Sequence, residues 1–109
     1  MSDFQSSYLQ VATATETRSQ AVELARHLVR QRLAAGAQII GPVTSAFWHD
    51  GEFGTGEEYQ LLLKTRSDLY PRLEAAVLEH HPWQSPELTA TAYVDSSPGF
   101  RAWVDKTLS

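Results

Sequence analysis

The sequence predicts an α+β fold, a ferredoxin-like β-α-β-β-α-β antiparallel sheet with an extra C-terminal helix. Three observations predict it. The 109 residues suffice for one domain and leave no room for two. Segments of alternating residues trade places along the chain with segments whose apolar residues recur at helical spacing. The middle strands are apolar on both sides, so helices on one face of the sheet leave the other face in need of a cover.

The first strand runs from Tyr8 to Ala14, with Leu9, Val11 and Thr13 on one side and Tyr8, Gln10 and Ala12 on the other. Thr17-Arg18-Ser19-Gln20 is a capping-box pattern. Behind it Ala21, Leu24, Ala25 and Leu28 mark a helix expected over Arg18 to Ala35, closed by Gly36 in the left-handed conformation. Ala37 to His49 is apolar and β-branched. Its Gly41-Pro42 step predicts two strand pieces joined by a kink. Asp50 to Gly56, with three glycines, is expected to turn the chain into a strand over Glu58 to Arg66.

Ser67-Asp68 is expected to cap a second helix, with Pro71 in its first turn. Leu69, Leu73, Ala76, Val77 and His80 form one face of that helix, and Pro82 ends it. Glu87 to Val94 reads as the last strand, and Pro98 to Leu108 as a terminal helix carrying Phe100, Trp103 and Val104. One domain thus spans 8–108. Residues 1–7 read as a short flexible tail.

The composition excludes several functions. There is no cysteine, hence no disulfide framework, thiolate zinc site or cysteine nucleophile. A net charge of −4 disfavours nucleic acid and anionic membrane surfaces as partners. Met1 to Ser7 lacks the cationic and apolar segments of a signal peptide, and no run approaches a membrane span, so a cytoplasmic protein is expected.

The run His80-His81-Pro82-Trp83-Gln84-Ser85-Pro86-Glu87-Leu88 resembles the CutA family of divalent-cation tolerance proteins, whose pattern there is close to HHPYQTPEL. The resemblance extends from Tyr8 to Leu108. Arg32-Leu33-Ala34-Ala35 is similar to the family's KLAAC, Thr44-Ser45 to its TS and Leu63-Lys64-Thr65 to its ILKT, while Glu58 and Trp103 fall at family-typical positions. The resemblance implies a ferredoxin-like subunit, a tight homotrimer built by edge-strand pairing, and a role in tolerance of copper and other divalent metals. The chain also departs from the pattern. Ala12 stands where the family often has a strand-one cysteine, Gly36 replaces the cysteine of KLAAC, and His49 replaces a tryptophan.

His80 and His81 are the metal candidates, because neutral imidazole suits Cu(II), Zn(II) and Ni(II). Adjacent residues of a helix point about 100° apart, so a shared ion needs the unwinding that Pro82 imposes. With two imidazoles and no thiolate, binding of Cu(II) or another divalent metal is expected to be weak. The competing reading has His80 packing the helix end and His81 capping carbonyls. Glu58 and Lys64 share one side of their strand and are candidates for an intersubunit pocket or for cross-strand bridges. Trp83 either lines such a pocket or closes the core. His49 is expected at a solvent-reachable subunit boundary.

Other functions with the same element order need features this sequence lacks. An acylphosphatase-type enzyme wants an arginine in a phosphate loop after strand one, where Ala14-Thr15-Glu16-Thr17 stands. An RNA-binding sheet wants stacked aromatics on a basic face. No nucleophile–base pair is present, so the chain is read as a non-enzyme. A regulatory trimer with small-molecule pockets between subunits is the alternative to a metal role.

Overall fold

The computed structural model describes residues 8–109; the expected tail, residues 1–7, lies outside the described residues. The elements are β1 (Tyr8–Thr15), α1 (Arg18–Arg30), β2 (Gly36–His49), β3 (Glu52–Arg66), α2 (Tyr70–His80), β4 (Thr89–Ala92) and α3 (Pro98–Leu108). The strands form one four-stranded sheet in the order β2-β3-β1-β4, with every neighbouring pair antiparallel. Among the described residues no helix is long and apolar enough to cross a membrane.

Strand parity divides the sheet into two faces. Leu9 and Val11 of β1 and Leu61 and Leu63 of β3 meet Leu24, Ala25 and Leu28 of α1 and Leu73 and Val77 of α2 in one buried cluster. Leu62, between two fully buried leucines, points to the opposite face and is only half-buried. Helix α3 covers one end of that second face. Its Val104 and Leu108 pack with Ala35 and Leu69, and Trp103 lies over Gly36, where an added Cβ would sit 3.0 Å from the indole. The Tyr8 hydroxyl donates to Asp105 Oδ2 at 2.7 Å and Arg66 Nη1 donates to Asp105 Oδ1 at 3.2 Å, tying α3 to β1 and β3. The Tyr8 hydrogen bond holds the Asp105 carboxyl below its ordinary value; burial opposes it, and Arg66 adds to the lowering.

Several local expectations need correction. Helix α1 stops at Arg30, five residues short of Ala35. The left-handed residue is Arg32, at φ 58°, not Gly36. Leu33 N–H donates to Leu28 O and Arg32 N–H to Val29 O, a Schellman closure that an arginine completes without glycine. The Arg32 guanidinium is held by the Thr107 carbonyl at 2.8 Å, so α3 supports this turn.

The glycine-rich segment is not a long turn. Asp50 and Gly51, at φ 51° and 79°, form a two-residue hairpin turn, and β3 begins at Glu52. Gly54 and Gly56 instead lie under the Phe47 ring from β2, with Gly54 3.2 Å from it at the position a Cβ would take. The expected kink is present as a register shift between Ile40 and Val43. The N-cap position of α2 falls later than Ser67-Asp68. It is held by Leu69, without a side-chain bond, and the Asp68 carboxylate accepts both Arg66 Nε and Nη2. Strand β4 is shorter than the predicted Glu87–Val94, although Tyr93 N–H still donates to Tyr8 O.

The β2–β3 hairpin outruns its neighbours. Strand β1 pairs with β3 only as far as Tyr59, while β2 continues pairing to His49 and Glu52. On this projecting arm Trp48 is 74% exposed and Phe53 62%, their rings packed edge to face at 5.8 Å.

Candidate functional site

Helix α2 ends at His80 because Pro82 disfavours helical backbone in the residue before it, and His81 takes φ −70° and ψ 139°. That rotation carries the His81 ring inward, where it is 8% exposed. Its Nδ1 accepts from the Trp83 backbone N–H at 3.0 Å. The proton therefore sits on Nε2, which donates to the Ala14 carbonyl at 2.8 Å. Both ring nitrogens are thus engaged by backbone, joining the α2–β4 connection to the end of β1. A nitrogen whose lone pair already accepts a hydrogen bond has none to offer a metal.

Burial lowers the His81 pKa from 6.5, and the Ala14 hydrogen bond opposes the shift without cancelling it. The folded state thus binds this proton less readily than the unfolded chain. The contribution to stability is complete above the unfolded value and is lost as pH falls through it toward the lowered folded one. Denaturation midpoints are expected to fall on acidification from pH 7.5 to 5.5, and His81→Gln is expected to flatten that slope. A His81→Gln slope equal to the wild-type slope would remove His81 as its source.

His80 does not join His81. Its side chain is 44% exposed and stacks on His27 of α1, with ring centroids 4.0 Å apart and a 47° tilt. The Glu79 carboxylate is 4.0 Å from His80 Nε2. The unwinding at Pro82 left convergence of His80 and His81 open; in the structure the two rings take separate partners, with His81 on a backbone carbonyl as in the competing reading. His27 is the residue that sequence reasoning missed. The available signal was topological, since a β-α-β-β-α-β order lays both helices on one sheet face and brings outward positions of α1 beside the end of α2.

The remaining candidates lie apart. Glu58 Oε1 accepts from Ser45 Oγ at 3.0 Å, and Lys64 Nζ donates to Gln38 Oε1 at 3.0 Å. Both are cross-strand contacts to β2. Six residues of strand separate Glu58 from Lys64, about 20 Å, so one chain cannot bring them to one small ligand. Trp83 is half-buried, its ring 5.2 Å from that of His81. His49, at the arm's tip, is open to solvent with its Nε2 3.2 Å from Asp50 Oδ2.

The sequence of residues 9–107 matches the family described as CutA1 divalent ion tolerance protein. The chain belongs to the CutA family. The divalent-cation tolerance protein CutA of Yersinia pestis is 30% identical over 88 residues, 81% of this chain and 74% of that protein. The divalent cation tolerance protein of Thermus thermophilus, a solved structure, superimposes with a TM-score of 0.89 at 27% identity, over 94% of this chain and 99% of that one. CutA1 from Oryza sativa shares the fold with a TM-score of 0.91 at 22% identity, over 98% of both chains.

Within the CutA frame, the donor chemistry of this chain is imidazole and carboxylate. Ala12, at the strand-one position, pairs with Leu62 and Thr89 and offers no ligand atom. His81 is spent on backbone. The histidine rings that meet are those of His80 and His27. Among the described residues no three histidine or acidic side chains converge as a preformed metal cage.

Proposed function

We propose that the chain is a CutA-type homotrimer of ferredoxin-like subunits that takes part in divalent-cation tolerance and binds copper or another divalent ion weakly, through imidazole rather than thiolate. The observation that carries the tolerance role is the family match across 9–107, nearly the whole chain. The trimer is supported by the projecting arm, which exposes Trp48 and Phe53 on one face and Phe47 on the other, apolar surface characteristic of a subunit contact. Because the arm lies at the β2 edge of the sheet, its unpaired backbone is also placed for edge-to-edge association. The role proposed is one of binding and assembly.

The tolerance role is tested in cells. A strain from which the coding sequence is deleted is expected to grow less well than its parent in raised copper salt, with growth restored by the wild-type chain. Equal growth of deletion and parent across copper, zinc and nickel salts would overturn the reading.

A further inference from the structure

The cleft between α1 and the end of α2 is lined by Gln20, Glu23, Leu24, His27, His80 and Pro82. Two imidazoles face each other there, one from each helix. We propose that His27 and His80 form a two-imidazole clamp for a borderline divalent transition-metal ion, with Cu(II) held best. The proposal rests on the divalent-metal reading above and gives it a place in the fold.

The two rings are in contact as a tilted stack, and ligation requires each to turn one nitrogen toward a common point. A metal–nitrogen bond of about 2.0 Å puts each ring centroid about 3.2 Å from the ion, so two rings at 90° to 109° lie about 4.5 to 5.2 Å apart. The observed separation is 4.0 Å. An opening of about 0.5 to 1.2 Å, achieved by side-chain rotation, admits the ion. Neither ring is held in place by burial, since His80 is exposed and His27 half-buried. Because the ligands come from separate packed helices, the second is presented at high effective concentration once the first has bound.

Charges of both signs flank the pair: Arg26 and Arg30 lie beside His27 on α1, and two carboxylates lie on the cleft side. Glu23 lies one helical turn before His27 on the same face and lines the cleft, and the Glu79 carboxylate is 4.0 Å from His80 Nε2. Water completes the coordination, and the carboxylates act through their charge alone. Cu(II) heads the affinity order for nitrogen and oxygen donors, ahead of Ni(II) and Zn(II). With two protein nitrogens the site is a loading site of modest affinity, open to solvent.

The test uses tag-free full-length protein and copper(II) chloride in a non-coordinating buffer at pH 7.5, followed by calorimetry and by electron paramagnetic resonance of the bound Cu(II). The wild type is expected to bind one ion per chain with a two-nitrogen hyperfine pattern. His27→Gln and His80→Gln are each expected to weaken binding on the order of 100-fold and to leave one nitrogen. Both positions are at least partly exposed, so the variants should keep the wild-type circular dichroism. The wild-type resonance decides the ligand number without any variant. Binding retained in both variants, or lost only in His49→Gln, would overturn the clamp and leave the divalent-metal reading standing. A wild type that binds none of copper(II), nickel(II) or zinc(II) chloride would overturn the metal reading itself, and the clamp with it.

Discussion

Replacing Trp48 and Phe53 together by aspartate is expected to convert the proposed trimer into monomers at micromolar concentration. The wild type should sediment at about three times the 12.2 kDa subunit mass and the variant at one subunit mass. The physical reason is the position of these side chains. They are 74% and 62% exposed on the subunit, on an arm that reaches beyond the part of β3 paired with β1, so nothing within the chain covers them. Burying an aromatic side chain of this size is worth about 2 kcal/mol, and two in each of three subunits amount to about 12 kcal/mol of association. Aspartate removes that term and adds carboxylates that resist desolvation. The subunit's own core does not include either residue, so the variant should remain folded. A variant that still sediments as a trimer would place the interface elsewhere, and a monomeric wild type would overturn the trimer.

The second large effect lies inside the subunit. Leu61→Ala is expected to cost about 3 to 4 kcal/mol, a lost transfer term plus the cavity it leaves. Leu61 is fully buried in the cluster that joins the sheet to α1 and α2, and it sits mid-sheet between Thr13 of β1 and Ile39 of β2. That cost is a large share of the roughly 5 to 15 kcal/mol by which domains are stable. The neighbouring Leu62→Ala, on the opposite face, is expected to cost clearly less in the subunit. Urea denaturation of both at one fixed protein concentration makes the comparison, since assembly makes stability concentration-dependent. Equal losses for Leu61 and Leu62 would show that the second face is buried as completely as the first.

The order of elements was legible because hydrophobic periodicity is a local property. Alternation in Tyr8–Thr15, the recurrence of Ala21, Leu24, Ala25 and Leu28, and the Thr17–Gln20 capping box each announce an element without reference to the rest of the chain. The run from His80 to Leu88 was specific enough to indicate the family. Element ends were less legible where a side chain from elsewhere decides them. Arg32 takes the left-handed position while its guanidinium reaches the Thr107 carbonyl, and Gly54 and Gly56 serve the Phe47 ring rather than a turn.

The α+β class, the order of strands and helices, the apolar face of each, and the supply of imidazole without thiolate as metal-type donor all follow from the order of residues. Which histidines meet follows from how the elements dock. His80 and His81 are adjacent in sequence, yet Pro82 turns one into a backbone-bonded strut beneath β1 and leaves the other on the helix surface. His27 is distant in sequence, yet packing of α1 beside α2 brings its ring to 4.0 Å from that of His80. Periodicity reports which side of an element is apolar, because it follows from the backbone repeat of that element alone. It carries no information about which polar residue on one element faces which on another, since that depends on the angle and offset at which the elements pack.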